Sequence, residues 1–184
     1  MKKITCVLLV GVSLVAFSTF AGEDKSTNNI SPTGQEQKAN TNNITLKVIK
    51  ADSEEKFGEN GVASNAVDGK PNTIWHTQWQ DASPEHPHEI TVEISQPLTI
   101  KGFTYLPRQD DSENGSIKEY EFYLSDDGKE FGDVVTKGAF ASGKEKKRVT
   151  FEPKKCRFFK LRALSALNGE AWTSAAEIGI IPAD

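Results

Sequence analysis

Apolar and polar residues alternate in short runs from residue 44 to the end of the chain. The runs are 44–49 (ITLKVI), 89–94 (EITVEI), 98–106 (LTIKGFTYL), 120–124 (YEFYL), 149–151 (VTF), 156–164 (CRFFKLRAL) and 176–181 (AEIGII). A period of two sends successive side chains to opposite faces of an extended backbone, so each run predicts a strand with one face on a core. In YEFYL, for instance, Tyr120, Phe122 and Leu124 share one face, and Glu121 and Tyr123 the other. Turn chemistry separates the runs. Asp126-Asp127-Gly128 predicts a hairpin, Glu152-Pro153-Lys154 a turn and Asn168-Gly169 another. No long stretch has helical period. Seven or eight short strands without helices predict an all-β protein, an antiparallel β-sandwich or barrel.

Two segments before residue 44 break the pattern. Lys2 and Lys3 precede an apolar run over 4–20, and Thr19-Phe20-Ala21 places small residues three and one before a cut. Residues 1–21 therefore predict a secretory signal peptide. A membrane anchor is the competing reading, but the run is near the lower length limit for crossing a bilayer. Gly22 follows the cut, where a lipoprotein signal needs Cys. Residues 22–43 hold almost nothing apolar and predict a disordered linker. The expected organisation is thus a signal peptide (1–21), a linker (22–43) and one folded module (44–184). The expected location is secreted, periplasmic or at the cell surface.

Composition narrows the partners. The 184 residues include 22 Lys plus Arg and 26 Asp plus Glu, a net charge of −4. Cutting after residue 21 removes two lysines and no acid, leaving −6. An acidic chain without a basic block is a poor match for nucleic acid or anionic lipid. The two cysteines, Cys6 and Cys156, build neither a disulfide framework nor a Cys-based zinc site. After cleavage only Cys156 remains, and it is expected to be a small buried apolar residue. The mature chain is expected to be a monomer.

Residues 51–88 do not fit the strand pattern. They carry Gly58, Gly61 and Gly69, six Asn or Asp, three prolines and all three histidines. A long irregular stretch in a compact domain is usually functional or pinned by a metal. Asp68-Gly69-x-x-x-Thr73 puts a carboxylate and a hydroxyl in a tight Gly/Pro turn whose carbonyls can face inward, as calcium requires. Alone, this signal is weak. Asp110-x-Ser112-x-Asn114-Gly115-x-Ile117-x-x-x-Glu121 nearly matches an EF-hand loop, but its flanks read as strands where an EF-hand needs helices. His86-Pro87-His88 has metal-like spacing, yet Pro87 stiffens it and only His76 remains as a third histidine.

Five ordered motifs carry a resemblance over 44–184: Ala66-Val67-Asp68-Gly69-Lys70-Pro71-Asn72-Thr73-Ile74-Trp75-His76-Thr77-Gln78-Trp79, preceded by Glu59-Asn60-Gly61; then Gly102-Phe103-Thr104-Tyr105-Leu106-Pro107-Arg108-Gln109; Tyr120-Glu121-Phe122-Tyr123-Leu124-Ser125-Asp126-Asp127-Gly128; Arg157-Phe158-Phe159-Lys160-Leu161-Arg162-Ala163-Leu164; and Ser174-Ala175-Ala176-Glu177-Ile178. The set resembles the coagulation factor 5/8 type C, or discoidin, domain, and within it the family 32 carbohydrate-binding modules of secreted bacterial glycan-degrading enzymes. The resemblance implies an eight-stranded antiparallel jelly-roll sandwich. It also implies a structural Ca²⁺ held by the side chains of Asp68, Thr73 and Glu177 and the carbonyls of Asn65, Lys70 and Ala176. In galactose-binding members a Glu, a His, an Arg and an Asn hydrogen-bond the sugar while loop aromatics stack on it. Glu59, His76, Arg108 and Asn114 match those positions, with Trp79 and Trp172 as the stacking rings. The His favours galacto-configured ligands, so the implied partners are glycans ending in galactose or N-acetylgalactosamine.

The same residues have plainer roles open to them. Trp75 is expected in the core, and Trp79 and Trp172 could be packing residues too. Arg108 could serve only as an ion-pair partner for Asp110, Asp111 or Glu113. His76 could be a satisfied structural histidine, and Asp68 and Glu177 ordinary turn and surface carboxylates. No enzyme is expected: no Gly-x-Ser-x-Gly turn occurs, and the adjacent carboxylates Glu54-Glu55 and Asp110-Asp111 diverge on extended backbone. An adhesin or protein-interaction module using the same loops is the alternative. A phospholipid-binding domain fits worse, because the tip 109–114 is polar and acidic rather than apolar and basic.

Overall fold

The computed structural model describes residues 43–183, all within one compact unit spanning 38–184. The expected signal peptide (1–21) and residues 22–42 of the expected linker lie outside the described residues. Eight strands form: β1 (Leu46–Ala51), β2 (Trp75–His76), β3 (His88–Leu106), β4 (Glu119–Ser125), β5 (Thr136–Ala139), β6 (Lys147–Ala163), β7 (Ser174–Ala175) and β8 (Glu177–Pro182). The helical content of the described residues is essentially one 3₁₀ turn, Ala63–Val67. Pairing is antiparallel in the order β1-β3-β6-β4-β5, with β8 also on β3 and β2 paired to β7. This is the antiparallel sandwich that the alternation predicts, in the jelly-roll form that the resemblance implies.

Two strands are longer than their patterns. The runs 89–94 and 98–106 are one strand, β3, and the runs 149–151 and 156–164 are one strand, β6. Both bend where their mutual register shifts, between Glu93 and Leu98 and again between Ile100 and Gly102. The second shift changes which parity faces inward: Ile90, Val92, Ile94, Leu98 and Ile100 are buried before it, Phe103 and Tyr105 after it. Gly102 is required there, because a Cβ would stand 2.2 Å from the Val149 carbonyl oxygen. The bends let one sheet fold over itself. Phe103 of β3 stacks on Phe122 of β4 at 4.2 Å between centroids, although the two strands share no ladder. Trp75, Ile90, Phe122, Phe159 and Leu161 complete the dry interior, and Cys156 is fully buried with them.

Of the three expected turns, one is absent, one is wider than a hairpin and one forms as expected. Glu152-Pro153-Lys154 is no turn: Lys154 pairs with Ile100 and Thr150 with Gly102, so Pro153 sits in the bulge, where no ladder partner needs its missing N–H. Asp126-Asp127-Gly128 does turn, with Ser125 Oγ accepting from the Asp127 and Gly128 amides, but it opens a wide connection to β5 rather than a tight hairpin. Asn168-Gly169 turns as expected, its Gly169 amide donating to the Ala166 carbonyl at 3.2 Å.

Candidate functional site

One end of the sandwich carries a cavity of about 340 Å³ lined by Glu59, His76, Trp79, Arg108, Asn114 and Trp172. That volume falls at the lower end of small-molecule sites, about 300–1,000 Å³. These six residues come from four separate stretches of chain, and each is placed by hydrogen bonds of its own backbone or side chain.

Glu55 organises the first two stretches. Its carboxylate has no exposed surface and accepts four backbone N–H groups: Phe57 and Gly58 on Oε1 at 2.7 and 2.9 Å, Trp79 and Gln80 on Oε2 at 2.9 and 2.8 Å. Burial opposes the charge, but the four N–H bonds outweigh it and hold the carboxyl down at about 2. One buried anion thus fixes the loop bearing Glu59 to the loop bearing Trp79. The Trp79 indole is 40% exposed and donates Nε1–H to Glu59 Oε1 at 3.0 Å. No sequence signal marks Glu55 among its acidic neighbours. Its chain neighbour Glu54 points its carboxylate elsewhere, to the Ala63 amide, so the two diverge as expected.

His76 is buried. Its Nδ1 lies 2.6 Å from the Thr77 carbonyl oxygen, which only accepts, so we assign the proton to Nδ1. Burial holds this imidazole below the ordinary histidine value, with nearby Arg108 adding to that and the Thr77 carbonyl and Glu59 opposing it. The neutral ring therefore offers Nε2 as an acceptor. The reading of His76 as a structural histidine and the reading as a lining residue both hold: one nitrogen serves each.

Arg108 and Asn114 are set from beneath. Arg108 Nε and Nη2 donate to Asp110 Oδ1 and Oδ2 at 2.7 and 2.6 Å, and Nη1 donates to the Asn114 carbonyl at 3.3 Å. The bond to Asp110 raises the guanidinium and lowers the carboxylate from their ordinary values. Three of five guanidinium N–H groups are so used, and two remain for a ligand. Ser174 Oγ also donates to the Asn114 carbonyl at 2.8 Å, and the Asn114 Oδ1 accepts from Asn168 at 3.2 Å, leaving the Asn114 amide nitrogen as a donor. Behind Asn114 the chain passes so close to β7 that Gly115, at φ +74°, has no room for a side chain: a Cβ would meet Ser174 N at 2.8 Å. The flanks of 110–121 are strands, which removes the EF-hand.

Trp172 is half-buried, its Nε1–H bonded to Ser83 Oγ at 2.9 Å and its ring 6.1 Å from the His76 ring. The lining as a whole offers two acceptors (Glu59, His76), two donors (Arg108, Asn114) and two indoles. Hydroxyl groups donate and accept together, and C–H faces prefer aromatic rings, so the lining suits a polyol with an apolar face better than a charged group.

A second feature lies at the 3₁₀ turn. Thr73 Oγ1 is within 3.0 Å of Asp68 Oδ1, 2.9 Å of Asp68 Oδ2 and 2.9 Å of the Lys70 carbonyl, three acceptors around a single hydroxyl proton. Asn65 Nδ2 donates to the Asn60 and Ile74 carbonyls, both at 2.8 Å, fixing the turn. Glu177 Oε1 is buried with no partner, and burial together with the Asp68 charge pushes this carboxyl above its ordinary value. Ala176, fully buried, precedes it. The cluster is rich in oxygen, and its donors are the Thr73 hydroxyl and the turn amides, Lys70 N–H reaching Asp68 Oδ1 at 2.8 Å. The chemistry fits a hard cation such as Ca²⁺, with Asp68, Thr73 and Glu177 giving side chains and Asn65, Lys70 and Ala176 carbonyls. No group of three or more His, Cys, Asp or Glu side chains suited to a metal occurs among the described residues, so such an ion would rely on those carbonyls.

The F5/8 type C domain model matches residues 48–178, and the chain belongs to that family. Its structural neighbours are family 32 carbohydrate-binding modules. The Clostridium perfringens module CpGH89CBM32-5, solved in complex with GalNAc-β-1,3-galactose, is 37% identical, with a TM-score of 0.67 over 74% of this chain and 94% of that one. The family 32 module of C. perfringens NanJ, solved with galactose, is 29% identical, with a TM-score of 0.61 over 74% and 92%. Among curated proteins, a Micromonospora viridifaciens sialidase is 35% identical over 136 residues, 73% of this chain and 21% of the relative. A Gibberella zeae galactose oxidase is 36% identical over 121 residues, 65% and 18%. The match thus takes in about a fifth of each of these enzymes.

Proposed function

We propose that this module binds glycans ending in galactose or N-acetylgalactosamine, without catalysis, in the cavity of Glu59, His76, Trp79, Arg108, Asn114 and Trp172. The observation that carries the reading is the convergence of these six residues on one cavity with acceptors, donors and indoles in a polyol-like balance. Family 32 neighbours solved with galactose and with GalNAc-β-1,3-galactose support it. In this reading Trp79 and Trp172 take the C–H face of the ring. His76 Nε2 and Glu59 accept from hydroxyls, and Arg108 and Asn114 donate to them. Glu59 is the only carboxylate of the lining, whereas glycoside hydrolysis uses a facing pair. Ca²⁺ at Asn65, Asp68, Lys70, Thr73, Ala176 and Glu177 would neutralise the two carboxylates and clip the turn to the start of β8. Residues 1–21 would direct export, and the module would act as a monomer.

The test is calorimetric titration with galactose, N-acetylgalactosamine and glucose, in calcium and in chelator. Galactose and N-acetylgalactosamine are expected to bind and glucose not. Trp172→Ala is expected to weaken binding more than tenfold with the fold intact; Arg108→Ala is expected to do the same at a lower melting temperature, because it also frees Asp110 and the Asn114 carbonyl. Unaltered affinity in both variants would end the sugar reading of this cavity. A folded protein silent on all galactosides but retained by a protein partner would favour the adhesin reading.

A further inference from the structure

The segment from Ser83 to His88 touches three consecutive residues of the Trp172 loop. Ser83 Oγ accepts from the Trp172 indole at 2.9 Å, His88 Nε2 meets the Ala171 carbonyl at 2.8 Å, and His86 Nε2 meets Thr173 Oγ1 at 3.1 Å. His88 is fully buried, and its other nitrogen, Nδ1, lies 2.7 Å from Asp52 Oδ2. Asp52 is itself fixed: Oδ1 accepts the Glu89 amide at 2.7 Å, and its own amide donates to the Glu89 carbonyl at 3.1 Å. Neither the Ala171 carbonyl nor the Asp52 carboxylate can donate, so both bonds require a proton on each ring nitrogen.

We propose that the His86-Pro87-His88 segment is a cradle that sets Trp172 for ligand stacking, with His88 as the positioning residue joining Asp52 of the β1 edge to the Ala171 carbonyl. The inference rests on the sugar reading above only for its affinity readout. Neutral His88 satisfies one of its two acceptors. The remaining ring proton then stays on Nδ1, donating to the Asp52 carboxylate in a charge-assisted bond, and the Ala171 carbonyl loses its donor. The groups facing His88 are Asp52, the Ala171 and Pro84 carbonyls and His86, whose ring centre is 5.0 Å away; Glu85 acts on His86 in turn. Burial disfavours the His88 cation, but the Asp52 bond and the Ala171 carbonyl outweigh it and raise the group above its ordinary value. His86 goes the other way, lowered by burial and by the His88 charge. The clamp is complete below the ordinary histidine value and is lost as pH rises through the raised one.

The experiment follows the indole N–H resonance of Trp172 and galactose affinity from pH 5 to 9 in the full chain. The wild type is expected to show both changing together on an alkaline limb. His88→Asn keeps a donor only at the Nδ1 position; it should weaken galactose binding about tenfold at all pH values and move the Trp172 resonance. His88→Gln keeps a donor at the Nε2 position; it should restore affinity and abolish the alkaline limb, because nothing is left to titrate. Asp52→Asn, informative even if a His88 variant does not fold, should move the limb to lower pH. A Trp172 resonance insensitive to pH in the wild type, or an alkaline limb that survives in His88→Gln, would overturn the proposal. If the wild type binds no galactoside, the sugar reading fails and the indole resonance alone decides the cradle.

Discussion

Replacing Glu55 by Gln tests the buried anion that joins the two site loops. The carboxyl sits at about 2 in the folded protein against an ordinary 4.5. At about 1.4 kcal/mol per pH unit that difference is worth about 3 kcal/mol. The group lies just under exposed loop tips, Phe57 among them at 76% exposure, so solvent screens part of it, and we carry about 2 kcal/mol. Counting bonds leads to a similar figure. Gln keeps one acceptor and turns an NH₂ toward two of the four N–H groups, and each buried donor left unpaired costs about 1–3 kcal/mol. For a domain of this size, about 2 kcal/mol lowers the melting temperature by about 6–8 °C. Scanning calorimetry at pH 7 reads that shift directly. A depressed carboxyl stabilises the fold above its unfolded value and loses that contribution as pH falls through its folded one, so wild type and Glu55→Gln should converge between about pH 4.5 and 2. Galactose binding should fall as well, because Trp79 hangs on Oε2 through its backbone N–H. A variant melting within about 1 °C of wild type at pH 7 would refute the argument.

Three further outcomes are expected. Calcium should raise the melting temperature, and Asp68→Asn combined with Glu177→Gln should abolish that rise; the double variant should also be less sensitive to chelator, since the unpaired Glu177 oxygen and the crowded Thr73 hydroxyl no longer need a cation. Galactose affinity should weaken in acid as His76, held low by burial, finally takes a proton on the accepting nitrogen, and His76→Asn, which retains the Thr77 bond but not the accepting nitrogen, should bind weakly without that acid limb. Cys156, whose thiol burial pushes up to about 12, should resist a thiol reagent in the native protein and react fully in denaturant.

What could be read from the chain follows how each residue earns its place. Strands packed on the core announce themselves, since a buried face requires alternation: YEFYL became β4 with Tyr120 and Phe122 inside. The edge strand β5 went unseen because Thr136–Ala139 buries no face and pairs only with β4. β2 and β7, two residues each, are too short for any period. The parity change in LTIKGFTYL is visible in the sequence once Gly102 is read as a bulge, but the joining of β3 across Ser95–Pro97 is not, because those residues are exposed. The six lining residues were legible through the family resemblance, as aromatic and planar polar types at loop positions. The residues that hold them were not. Glu55 acts by accepting amides from Phe57 to Gln80, Ser174 by holding the Asn114 carbonyl, and His88 by joining Asp52 to Ala171. Each of these roles includes a bond to backbone, and a backbone group leaves no letter in the sequence. Ligand chemistry is written in side chains, whereas its alignment is written in contacts that any residue type can supply from the other side. Substitutions at the supporting positions should therefore alter affinity in ways that loop composition alone does not foretell.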